Sequence, residues 1–176
     1  MDKTVKSIAT NYGLYLGILL ASVTVLAYAL NLEILTKWWI GISLFLVIIT
    51  FGIISITQSK SALEGFISFK DAFTSYFITV LIGILISSVV SVIIFNFIDP
   101  EAALTLKEKI IEASVEMMRS FNAPEDDIAE AVIKMEEAPS QFAIGSLVQS
   151  LFIQLVIYSV IGLIASLIMK KTNEDI

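Results

Sequence analysis

The sequence predicts an all-α polytopic membrane protein: four transmembrane helices with a two-helix soluble insert between the third and the fourth. Three observations predict it. The chain is 57 % hydrophobic, against roughly 45–50 % in globular chains, a surplus that a soluble fold of this size has no interior to hide. Four long apolar runs contain no Asp, Glu, Lys, Arg or His. The charge is segregated, with eleven of the 17 acidic residues and four of the 11 basic ones in residues 99–140. At this length, 1–176 is a single membrane domain and 99–140 its acidic insert.

The same composition excludes several functions. Net charge is −6 and the charge is concentrated in an acidic segment, so the basic face that phosphates require is missing and no nucleic-acid partner is expected. There is no cysteine and no histidine. Thiol catalysis, disulfides, thiolate metal sites and imidazole bases are excluded. The lipid bilayer is the first partner implied, and no cofactor is.

Residues 1–10 read as a short polar head with Lys3 and Lys6. The first span is about 12–32, long enough to cross a hydrocarbon core of ~30 Å. Lys3, Lys6 and Ala27-Tyr28-Ala29 invite a signal-peptide reading, but this apolar run exceeds the ~7–15 residues of a signal core. A tight turn at 32–37 leads to Trp38-Trp39, a pair suited to the headgroup layer, and to the second span at about 38–56. The connection 58–70 has an amphipathic pattern through Phe66, Ile67 and Phe69, which predicts a segment lying along the interface. The third span is about 72–97 and the fourth about 142–169.

Between them, Asp99-Pro100-Glu101 is a helix start: a cap, a residue suited to the first helical position, and an acid at the positive end of the dipole. Leu106, Ile110, Met117 and Phe121 recur at helical spacing. Asn122-Ala123 breaks that helix. Pro124 with Glu125, Asp126 and Asp127 opens a second one, which presents Ile128, Val132 and Met135 and ends at Pro139, where Ser140 can cap the next helix.

Basic residues beside spans stay in the cytoplasm. With the N-terminus inside, Lys3, Lys6, Lys60, Lys70, Lys170 and Lys171 fall on the cytoplasmic side, and only Lys37 on the short outer connection. The expectation is an integral protein of a bacterial inner membrane, both termini cytoplasmic and residues 99–140 periplasmic.

Three stretches carry a family resemblance. Gly65-Phe66-Ile67-Ser68-Phe69-Lys70-Asp71-Ala72-Phe73, Asn96-Phe97-Ile98-Asp99-Pro100 and Pro124-Glu125-Asp126-Asp127-Ile128-Ala129-Glu130-Ala131 resemble, in that order, segments of bacterial membrane proteins grouped as domain of unknown function 4199. Span count and the Lys170-Lys171 end also fit. Ala123-Pro124 departs from the glycine and capping serine expected there, which bears on the geometry of the hairpin turn. The resemblance implies four membrane helices and supplies no activity.

Candidate sites each have a functional and a packing reading. Gly13, Gly17 and Ala21 put small residues on one face of the first span, as do Gly83, Ser87 and Ser91 on the third and Gly162 and Ser166 on the fourth. Such faces let helices approach closely in lipid. They serve a homo-oligomer interface or packing within one bundle, and packing is the favoured reading. Asn96, Gln149 and Gln154 are amides at membrane depth, each wanting a partner. A polar pocket is the functional reading, and interhelical hydrogen bonding the favoured one. Glu125-Asp126-Asp127 and Glu136-Glu137 lack a cation-loop pattern and are not expected to hold metal, the acids at the helix start answering the dipole instead. Leu106, Ile110, Met117 and Phe121 with Ile128, Val132 and Met135 are expected to be the two insert helices' mutual interface, with a partner or membrane surface as the sharper alternative.

Spans without charge argue against a proton-coupled pump or a charged-substrate carrier. The expected function is non-catalytic: a membrane scaffold or accessory subunit whose acidic hairpin contacts a protein partner or the membrane surface. The alternative is a small oligomeric transporter or channel for a neutral or lipid-like solute, its path running through Gln149, Gln154 and the serines of the third span.

Overall fold

The computed structural model describes residues 3–171, which form six α-helices joined by short turns. Four are long and apolar enough to cross a membrane: α1 (Lys3–Leu30), α2 (Trp38–Ala62), α3 (Phe69–Val92, prolonged to Ile98 by a π turn) and α6 (Ile144–Met169). The chain is an integral membrane protein of up-and-down helices. Long apolar sequence takes this form because hydrocarbon offers no partner to the backbone, so each segment must satisfy its own amides. Between α3 and α6 come α4 (Pro100–Ser120) and α5 (Glu125–Glu137) at one end of the bundle, the hairpin end.

α3 is the central helix and touches α1, α2 and α6. Its contact with α1 is close because both helices give way at glycines. A methyl on Gly83 would lie 2.6 Å from Leu16 Cγ, and one on Gly13 would lie 2.8 Å from Ile82 Cβ. Gly17 sits equally tightly against Ile86. On the other side, Gly52 of α2 and Gly162 of α6 hold opposite edges of the Tyr76 ring, each with room for hydrogen only: a Cβ would fall 2.5 Å from Cδ2 and from Cδ1 respectively. Tyr76, Leu16, Ile56 and Val80 are enclosed, with Val80 the most exposed at 1 %.

The end opposite the hairpin is tied by a turn built from the stretch Gly65–Phe73. Gly65 takes φ +89°, a conformation that costs a glycine little. Its amide donates to Lys60 O (2.9 Å) and that of Glu64 to Ser61 O (3.2 Å), closing α2. Ile67 exchanges two backbone hydrogen bonds with Lys171 (2.9 and 3.0 Å). Ser68 then caps α3, accepting from the Asp71 amide (3.1 Å) while its hydroxyl donates to the Asp71 carboxylate (2.8 Å). Lys60 Nζ donates to Met169 O (2.9 Å) at the C-terminal end of α6, where a cation is favoured.

Several boundaries differ from those the sequence predicts. The polar head is helical from Lys3, with Val5 and Ala9 fully buried, because its apolar residues fall on the inward face. α2 runs to Ala62 rather than Ile56, burying Ser59. The stretch 58–70 is therefore divided between the end of α2, a turn in which Ile67 is buried and pinned to Lys171, and the start of α3. α6 starts at Ile144, and Ser140 caps only the preceding turn, accepting from the Phe142 amide at 3.3 Å.

Candidate functional site

The hairpin end is built on a cap. Asp99 accepts from the Ala102 amide (2.9 Å) and from the Tyr28 hydroxyl (3.1 Å), and Pro100 follows at the first helical turn. Substituting such a cap costs about 1 kcal/mol. The π turn before it places Asn96 so that its Nδ2 donates to Phe142 O (2.8 Å), and stacks Phe95 on Phe142 with centroids 4.0 Å apart. α4 is thereby seated on the bundle. Leu106 is fully buried there with Ala102 and Ala103, and Ile110 packs against the same cluster beside Tyr28 and Leu35.

This corrects the expected mutual interface of the insert. Leu106 and Ile110 turn toward the bundle, and Met117 and Phe121 are exposed. The face of α4 that meets α5 carries Ile111 and Val115, which with Val132 line a groove of about 410 Å³. Ile128 is buried and Met135 half-buried. The stripe Leu106-Ile110-Met117-Phe121 is real, but a helix lying on a membrane bundle has two contacts to make, and the neighbouring stripe makes the second. At the hairpin turn Asn122 adopts φ +56°, tolerated by a short amide side chain, and Ala123 donates to Met118 O (3.0 Å).

Charge divides sharply in this region. Lys107 Nζ donates to the carbonyls of Glu136 (2.7 Å) and Ala138 (2.6 Å), closing the base of the hairpin. Arg119 pairs with Glu125 at its tip (3.2 Å). Lys134 pairs with Glu130 within α5 (2.6 Å). Lys109 reaches Glu33 (2.7 Å) in the 3₁₀ turn Leu32–Thr36 between α1 and α2. That contact holds the Glu33 carboxyl below the usual carboxylate range and raises the Lys109 ammonium, in each case chiefly through the hydrogen bond they share. All four basic residues of the insert are thus engaged internally. Asp126, Asp127, Glu136 and Glu137 stay exposed without an ion pair among the described residues.

Inside the bundle lies a polar centre that the sequence-based expectations touched only through the serines of the third span. Ser75 Oγ stands 2.8 Å from both Ser55 Oγ and Ser59 Oγ. Thr79 Oγ1 donates within reach of Ser55 Oγ (2.8 Å), Ser75 O (2.9 Å) and Ala9 O (3.1 Å). All four side chains are at 0 % exposure. Pairing of this kind offsets the cost of burying hydroxyls. The signal was present as Ser55-x-x-x-Ser59 and Ser75-x-x-x-Thr79, two hydroxyl pairs one helical turn apart. Next to them the Tyr76 hydroxyl is buried without a hydrogen-bond partner among the described residues. The network ties α2 to α3, and Thr79 carries it on to Ala9 O of α1.

The remaining predicted residues separate cleanly. Gly13 and Gly17 of α1 receive Ile82 and Ile86 of α3, and Gly83 of α3 receives Leu16 of α1, so they pack one bundle. Gly162 meets Tyr76, and Ser166 is buried with its hydroxyl donating to Gly162 O (2.6 Å). Ser91 is buried and Ser87 half-buried. Ala21 is half-buried, lining a groove with Ile18, Val25 and Ile86. Asn96 bonds not to a helix but to the carbonyl of Phe142 in the turn before α6. Gln149 and Gln154 do not follow it: both are exposed on α6 and neither lines the centre.

The family described as Protein of unknown function (DUF4199) matches residues 11–171, and the chain belongs to it. No curated protein and no solved structure matches the chain.

Proposed function

We propose that this family member is a non-catalytic membrane scaffold or accessory subunit, its acidic hairpin meeting a basic surface of a protein partner. The termini lie in the cytoplasm and the hairpin outside it. The observation that carries the reading is the one-sided charge of the insert. Its cations are engaged in holding α4 and α5 together and onto the bundle, which leaves Asp126, Asp127, Glu136 and Glu137 facing outward. An uncompensated charged face steers and selects a complementary partner. An anionic lipid surface would repel it, which favours a protein over the membrane itself.

The neutral-solute transporter is the weaker reading. Its expected path used Gln149 and Gln154, which are exposed on α6, and the serines of the third span, of which Ser75 is enclosed in hydroxyl pairs; the middle of the bundle is filled by the Tyr76 ring between Gly52 and Gly162.

A photocrosslinking residue at Asp126 tests the proposal in intact cells. A discrete adduct with a second protein is expected, and it should fade when Asp127, Glu136 and Glu137 are changed to lysine. Recovery of the uncrosslinked chain alone, with the lysine variant harmless to cells, would overturn it. The chain has no cysteine, so Asp126→Cys reports orientation in the same cells. Labelling by an impermeant maleimide before lysis is expected; labelling only after lysis reverses the topology.

A further inference from the structure

The last turns of α4 do not close against the bundle. They form one wall of a groove of about 680 Å³ whose other wall is the start of α2. Trp38 and Trp39 face Met117 and Phe121 across it, at 66, 53, 46 and 79 % exposure. Large apolar side chains left this open are costly in water. α2 is a membrane-spanning helix and this is its first turn, so the groove opens at headgroup depth, where tryptophan is at home.

The groove is also bipolar. Lys37 lies on the α2 side and Glu116 on the α4 side. Neither enters an ion pair among the described residues, whereas the four cations of the insert are all engaged. A cation and an anion on facing walls, over an apolar floor at the membrane surface, match a zwitterionic lipid headgroup. The phosphate suits Lys37 and the amine suits Glu116. A carboxylate favours an amine that donates hydrogen bonds, which a primary ammonium does and a quaternary one does not. A glycerol headgroup has no cation, so with its phosphate on Lys37 it would leave Glu116 unpaired. The volume is within the roughly 300–1,000 Å³ of small-molecule sites.

We infer that the groove between the start of α2 and the end of α4 binds a phosphoethanolamine lipid headgroup, the phosphate on Lys37 and the ammonium on Glu116. This does not depend on a protein partner for the acidic face of α5.

The chain contains two tryptophans, both in this groove, so indole emission reads the site directly. The full-length protein in neutral detergent is titrated with short-chain phosphatidylethanolamine, phosphatidylcholine and phosphatidylglycerol. A saturable emission shift with one ethanolamine lipid per chain is expected, with the other two headgroups weaker by about tenfold, the order of one charge-assisted hydrogen bond. Glu116→Gln and Lys37→Gln should each weaken the ethanolamine lipid to a similar degree. Glu116→Gln should leave the glycerol lipid no weaker. Both variants lie at the surface, and an unchanged melting temperature confirms that they fold. Equal affinity for the three headgroups, or indifference to Glu116→Gln, would reduce the groove to a non-specific apolar surface. An emission shift that follows protein concentration and ignores lipid would assign the groove to a second copy of the chain. Either result overturns the inference.

Discussion

The middle of the bundle and its hairpin end are held by different forces. Around Tyr76 and Thr79 the helices meet through glycines and hydroxyls, and the side chains are enclosed. At the hairpin end a capped helix is seated by its first half, strapped by exposed ion pairs, and leaves Trp38, Met117 and Phe121 open. The difference follows from the solvent. Lipid tails are as apolar as the helices, so burial of apolar surface does not drive helices together within the membrane. Close backbone approach and hydrogen bonding must do it. On the proposed placement of the hairpin outside the membrane, apolar burial returns there, but exposed ion pairs contribute little. The middle should therefore be intolerant of small changes and the hairpin end tolerant of them.

The largest effect should come from filling a helix crossing. Gly83→Leu forces a branched side chain into the space of Leu16, and overpacking of this kind costs about 1–3 kcal/mol or more. Gly41 has nothing within 4 Å of its missing side chain, so Gly41→Ala should change stability by less than about 1 kcal/mol. Unfolding in mixed detergent micelles compares the two. Equal stability of Gly83→Leu and the parent would mean that the α1–α3 contact is not the tight joint described.

A smaller and more specific effect concerns hydroxyls, with opposite signs at adjacent positions. Ser75 joins Ser55 to Ser59, so Ser75→Ala strands buried oxygens and should cost about 1–3 kcal/mol. The neighbouring Tyr76 hydroxyl has no partner among the described residues. Tyr76→Phe keeps the ring between Gly52 and Gly162 and removes an unsatisfied group, so it should be neutral or stabilising by about 1 kcal/mol. Thermal unfolding of the two variants in one detergent decides it. A destabilised Tyr76→Phe would mean that this hydroxyl has a hydrogen-bond partner after all.

The two regions were unequally legible in the sequence. Four spans can be read from hydropathy, because uncharged runs of this length have one stable solution in lipid. Asp99-Pro100 marked its helix start because a cap is a local device. The glycines of α1 and α3 were visible as small faces, but Gly52, opposite Tyr76, has Ile48 and Ile56 four residues either side, so no small-residue spacing marks it. Gln149 and Gln154 misled because an amide is conspicuous by type, whereas its direction depends on the rotation of α6, which composition does not fix. The groove beside Trp38 was half visible. The tryptophan pair read as interfacial, but its partner wall lies some eighty residues away on α4, and only the seating of Leu106 and Ile110 brings it across.

The smallest effect is expected at the strap between Lys109 and Glu33, where the hairpin end meets acid. The Glu33 carboxyl is depressed from its ordinary value of 4.5. Its contribution is fully present above that value and is lost as pH falls through the lower folded one. Lys109 is raised from 10.5, so its contribution is present below that value and lost as pH rises through the higher folded one. The strap is therefore intact across neutral pH and opens at either extreme. Both groups are partly exposed, so opening should loosen α4 locally without unfolding the bundle. A fluorophore on Glu112→Cys reads this as anisotropy, because α4 carries it beside the strap. Anisotropy should hold from neutral pH down to the carboxylate range and then fall. Glu33→Gln should lower it at neutral pH and flatten the acid step. An acid step that survives Glu33→Gln would place the weak point elsewhere.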